Sequence, residues 1–95
     1  QLSQAQEVTI SGIVSDSQTG EPLVAASVQL LNTTFNQILT NQNGYFEIEN
    51  VPVGNYSVRI SAENHGTLIT EISVTESVHT FNFQLQEMIY KSFEN

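Results

Sequence analysis

An all-β domain, a Greek-key β-sandwich of seven strands, is the architecture this sequence predicts, and two observations carry the expectation. Short apolar segments alternate with a period of two, as half-buried strands do. Turn residues separate those segments, and before residue 86 no apolar stripe falls at helical spacing. Each segment is too short to be stable alone, so all of them need a packed sheet.

The first strand puts Val8, Ile10, Gly12 and Val14 on one face and Thr9 and Ser11 on the other. Thr19-Gly20-Glu21-Pro22 then reverses the chain, because glycine tolerates positive φ and proline fixes φ while lacking a ladder donor. Ala26, Val28 and Leu30 resume the alternation. A third segment, about Gln37 to Thr40, meets Asn43-Gly44, a dipeptide suited to a tight hairpin. The fourth strand runs from Tyr45 to Glu49, with Phe46 and Ile48 on one face. A reversal built on Pro52 and Gly54 leads into a fifth strand carrying Tyr56, Val58 and Ile60. Asn64-His65-Gly66 breaks the chain before Leu68 to Val74, and Val78 to Leu85 closes the set with Phe81, Phe83 and Leu85 alternating.

Ninety-five residues with 39% apolar content support one core and one domain. Ten acids stand against two bases, Arg59 and Lys91, for a net charge of -8. Phosphate backbones and anionic headgroups both need clustered cations, so nucleic acid and direct docking on lipid are disfavoured. The chain has no cysteine, which removes disulfides, thiolate metal sites and thiol nucleophiles. No apolar run reaches membrane-spanning length. Ser3-Gln4-Ala5 is a small-x-small triplet of the kind that ends a secretory signal, the other reading being an ordinary polar tail. The expected organisation is therefore residues 1–6 as signal end or tail, 7–86 as the sandwich, and 87–95 as a linker toward a following domain.

Catalytic chemistry needs titratable groups brought together, and the inventory is thin. His65 sits in a turn and His79 near a strand start, and neither belongs to a metal-ligand spacing or a nucleophile motif. Glu47 and Glu49 alternate with Phe46 and Ile48, the pattern of a solvated strand face. Asn41 to Gly44 with Glu47 lacks the aspartates and the spacing of a calcium loop, so a plain turn is expected. Asn32-Thr33-Thr34 and Asn55-Tyr56-Ser57 fit the glycosylation pattern, which matters only in a eukaryotic secretory pathway. Without tryptophan, a sugar-stacking platform would rest on Tyr45 and Tyr56, whose places beside turns are explained by covering the core edge. No catalytic, cofactor-binding or metal residue is assigned, and no cofactor is expected.

The stretches "ISGIVSDSQTGEPLVAASVQL", "TNQNGYFEIENVPVGNYSVRIS" and "FNFQL" fall in the order of one known pattern. From Val8 to Gln86 the chain resembles the carboxypeptidase regulatory-like domain, a transthyretin-like or prealbumin-like sandwich. The resemblance implies that Asp16 to Leu23 is the first crossing between strands and specifies fold and register. The sequence departs at "ENHGTL", where the family often has glycine followed by an aromatic residue. Zinc ligands of the peptidases that carry such domains lie elsewhere, and Lys91 falls outside the strands, so no catalytic or crosslinking role carries over. An N-terminus such as "SQAQEVTISGIVSDSQTGEPL" is similar to the extension of TonB-dependent outer-membrane receptors in Bacteroidetes. That resemblance implies an exported, non-enzymatic accessory domain on the periplasmic side of the outer membrane. Its expected partners are the rest of the receptor, the TonB system or a surface lipoprotein. The alternatives are an accessory module of a secreted peptidase or glycosidase, and a weak carbohydrate- or peptide-binding sandwich.

Overall fold

The computed structural model describes residues 6–88, which form seven strands and no helix. These are β1 (Glu7–Asp16), β2 (Ser27–Leu30), β3 (Ile38–Leu39), β4 (Tyr45–Pro52), β5 (Gly54–Ser61), β6 (Leu68–Val74) and β7 (Phe83–Leu85). They divide into two sheets, ordered β4-β1-β7 and β3-β2-β5-β6. Every named pairing is antiparallel except that of β1 with β7. The expected prealbumin-like sandwich is what forms.

Alternation along the strands builds the core. Ile10, Val14, Phe46 and Ile48 point inward from one sheet and meet Val28, Leu30, Val58 and Ile60 from the other. Phe83 joins from β7, its ring stacked on Phe46 with centroids 6.0 Å apart. Burying an aliphatic side chain of this kind contributes about 1.5 to 3 kcal/mol, which is how strands of two to ten residues come to hold together.

Four local expectations give way to tertiary packing. Gly44 does turn with positive φ, and the Asn41 side-chain oxygen accepts from the amides of Asn43 and Tyr45. The strands that this turn joins nevertheless belong to different sheets, β3 pairing with β2 and β4 with β1, so it is a crossing and not a hairpin. Its glycine is fixed by proximity: a Cβ there would come within 2.6 Å of the Val14 carbonyl oxygen and 2.9 Å of the Pro22 side chain. The third strand is correspondingly short, only Ile38 and Leu39.

β4 continues past Glu49 to Pro52. Between the pairs Ile10 with Ile48 and Val8 with Val51, β4 carries one residue more than β1, and Asn50 in that stretch adopts a φ of 62°. The bulge breaks the alternation, so Val51 is buried three residues after Ile48. The reversal at Pro52 and Gly54 is again a crossing between sheets, since β5 pairs with β2 and β6.

The last strand is shorter than Val78 to Leu85. Val78 is 53% exposed, and only Phe83–Leu85 forms a ladder with β1. Upstream, Phe81 still donates to the Ser11 carbonyl, and the amide of Ile13 donates to the Asn82 side chain. A side-chain oxygen thus substitutes for the backbone where the ladder would otherwise extend.

Candidate functional site

The most connected polar group in the sandwich is Asp16, the last residue of β1. Alternation places it on the inward face, and it is 6% exposed. One carboxylate oxygen accepts from the amides of Gln18 (2.8 Å) and Thr19 (2.9 Å) in the turn that follows. The other lies 2.8 Å from His65 Nε2, 49 positions along the chain. The backbone closes the same turn, with Gly20 donating to the Asp16 carbonyl and Asp16 donating to that of Glu21.

His65 uses both ring nitrogens. Nδ1 lies 2.9 Å from the Glu63 carbonyl oxygen while Nε2 meets Asp16. Both partners only accept, so both nitrogens donate and the imidazolium is the form that fits. The Glu63 carbonyl first, and then Asp16, hold the His65 pKa above its ordinary value. Hydrogen bonds from the Thr19 amide, then from His65 and the Gln18 amide, lower that of Asp16 to about 2. An imidazolium saturated in this way has no lone pair with which to take a proton from a nucleophile. The arrangement clamps three chain segments together. Gly66 donates to the Gln86 carbonyl, Met88 to that of Asn64 and Ser17 to that of Leu85, so the end of β1, the loop before β6 and the exit from β7 meet here.

The sequence places His65 in a turn outside any metal-ligand or nucleophile motif, and folding brings it a carboxylate partner. Local spacing holds no sign of a contact made across 49 positions. The reversal at Thr19 to Pro22 was legible, and the structure adds the Asx-type turn that opens it, with Asp16 accepting from the amides two and three residues on.

The other residues weighed in the sequence do not converge. Glu47 and Glu49 are exposed on β4, as their alternation implies, and Glu47 accepts from the Tyr45 hydroxyl at 2.9 Å. Tyr56 turns its hydroxyl onto the Pro52 carbonyl, 2.6 Å away, and so ties β5 back to β4. The Asn41 oxygen that a cation would need is occupied by two amides. Among the described residues no three His, Cys, Asp or Glu side chains gather as a metal site. In the two glycosylation patterns, Thr33 donates to the Leu30 carbonyl and Asn55 accepts from Ser73. Lys91, the signal-like residues 1–5 and the rest of the C-terminal segment from residue 89 lie outside the described residues.

The family model of the carboxypeptidase regulatory-like domain matches residues 9–86. The chain belongs to that family. Within the regulatory-like domain, β1 to β7 account for the matched span, and the Asp16–His65 clamp ties the end of β1 to the loop before β6. Solved structures repeat the fold. One chain of a type II cohesin–X-dockerin complex from Acetivibrio cellulolyticus is 27% identical, with a TM-score of 0.68, covering 84% of this chain and 58% of that one. A streptococcal ancillary pilin is 13% identical at a TM-score of 0.70, covering 87% and 30%. Catechol 1,2-dioxygenase from Acinetobacter is 14% identical at 0.69, covering 92% and 54%. The last two show the fold alone, and the regulatory-like domain spans less than two thirds of each of the three. No curated protein matches the chain.

Proposed function

We propose that this regulatory-like domain is a non-enzymatic accessory and interaction module, carried on the periplasmic side of the outer membrane by a TonB-dependent transporter. The observation that carries the accessory reading is the family match over residues 9–86. The clamp geometry supports it, because the one ion pair among the described residues is spent on joining chain segments. The transporter context rests on the N-terminal order of residues 3–23, from the signal-like triplet to the first turn. The module contributes contacts within the envelope and leaves nutrient recognition to the rest of the receptor. A second reading is an accessory module of a secreted peptidase or glycosidase; the likeness to a chain of the cohesin–X-dockerin complex supports protein–protein contact in either setting.

Fractionation of the source organism, with an antibody raised against this domain, separates the two. The transporter reading expects a band far larger than 10.5 kDa in the outer membrane, protected from protease in intact cells. A soluble secreted species would overturn it in favour of the second reading.

A further inference from the structure

Among the described residues four strands stand at sheet edges, and three of them are blunted. β3 has two residues and β7 has three. β4 is long, but it carries the bulge, the left-handed Asn50 and a terminal proline, all of which discourage a further strand. β6 is different. Its seven residues pair with β5 in unbroken register from Ile60 with Leu68 to Gly54 with Val74, and it holds neither glycine nor proline. Ile69 stands 59% exposed on its outer face. A regular, β-branched edge of this length is a template for one more strand.

The single charge on that edge selects the partner. Glu71 is the central residue of Leu68–Val74. Were a second copy to pair antiparallel in register, Glu71 would face its own equivalent, and like charges directly opposite are destabilising. The overall charge of -8 opposes self-association further. The same Glu71 attracts a cation on a different chain. Each end of β6 also opens into a recess. The one at Leu68, about 380 Å³, lies against Thr67, Gln84 and Gln86 beside the Asp16–His65 clamp. The one at Val74, about 360 Å³, combines the apolar Val53 and Val74 with Glu76. Its chemistry suits a lysine or arginine, with the stem on the valines and the charge at the carboxylate. Arg59, the one arginine or lysine among the described residues, stands opposite Ile69 on β5, so the acidic bias falls on the Glu71 to Glu76 half of the edge.

We propose that β6 is a docking edge, which takes an extended peptide segment as an added strand with one basic residue opposite Glu71 and another in the recess at Glu76. Backbone hydrogen bonds along β6 supply the affinity, and the two acids supply the choice of partner. The proposal deepens the interaction reading and is independent of the transporter context, so a failed fractionation leaves it standing.

The test is a titration of the isotope-labelled 95-residue chain with the peptide Lys-Val-Thr-Lys-Thr-Val-Lys, followed by amide NMR and hydrogen exchange. Alternate amides of Leu68–Val74 should shift and gain protection. Glu71→Lys and Glu76→Lys should each weaken binding by about tenfold or more with the melting temperature held, as charge reversal at an exposed contact does. The same peptide with glutamate in place of lysine should not bind. The proposal is overturned if millimolar peptide leaves the β6 amides unmoved, or if the shifts spread over Glu47 and Glu49 without protection at β6. It is equally overturned if the chain alone is already a dimer protected at β6.

Discussion

Thr40 shows how one hydroxyl can decide a junction. It is 4% exposed, and its Oγ1 donates to the Leu23 carbonyl (2.6 Å) while accepting from the Ala26 amide (2.8 Å). Its own backbone closes the same patch, accepting from Ala25 and donating to Ala26. The start of β2 is thereby held against the segment that ends β3, with Ala25 kept at a φ of 59° between them. Thr40→Val conserves the shape and strips both side-chain hydrogen bonds. The buried Ala26 amide and the half-buried Leu23 carbonyl would lose their partners at a cost of about 1 to 3 kcal/mol. Urea unfolding should show the midpoint fall with an unchanged slope, and a midpoint equal to the parent would mean that water replaces the hydroxyl at no cost. Nothing in the sequence singles Thr40 out, because a threonine beside a turn usually faces solvent. Around Asp16 the reversal at Thr19 to Pro22 was written locally, whereas the carboxylate's own contacts and its distant partner were not.

At the scale of the element, period-two alternation located the strands wherever pairing stayed regular. β6 matches its expected bounds, Leu68 to Val74, and the buried faces of β1, β2 and β5 are those the pattern marks. Errors arose where packing interrupted the period. β4 outlasts its alternation because a bulge absorbs one residue, and β7 starts late because the chain above it approaches β1 differently. Gly12 records that approach. A Cβ there would lie 1.7 Å from the Phe81 carbonyl oxygen, a backbone atom that a side-chain rotation cannot move. Gly12→Ala must push the Phe81 segment off β1, and overpacking of this kind costs about 1 to 3 kcal/mol or more. Thermal melting should therefore drop, with early loss of protection at the Phe81 amide, which donates to Ser11. An alanine variant as stable as the parent would show that the segment is not held against Gly12. Alternation identified Gly12 as inward-facing, and only the fold shows what fills the place of its side chain.

For the whole molecule, the Asp16–His65 clamp couples stability to pH in both directions. Asp16 titrates near 2 when folded against an ordinary 3.8, so its contribution is present above 3.8 and is lost as pH falls toward 2. His65 is raised above 6.5, so its contribution is full below 6.5 and is lost as pH rises through the higher folded value. The clamp is therefore strongest between pH 3.8 and 6.5. Melting curves taken across the range should show His65→Gln flattening the decline above 6.5. Parallel declines in the two proteins would remove His65 as its origin.

Taken alone, the sequence determined the class of the molecule. Binary alternation, turn residues and a low charge inventory are local or additive properties, and they sufficed for an all-β sandwich with one core and little catalytic material. They also sufficed for the family, whose motifs are themselves the strands and turns in order. The tertiary structure decided what depends on pairs distant in the chain: which strands share a sheet, where the Asn43-Gly44 turn leads, and that Asp16 meets His65. It also decided which edge stays open, since an edge is defined by the neighbour a strand lacks. The physical reason is common to all of these. Local propensity fixes what a segment is, whereas pairing and burial, settled only when the sheets pack, fix what it touches.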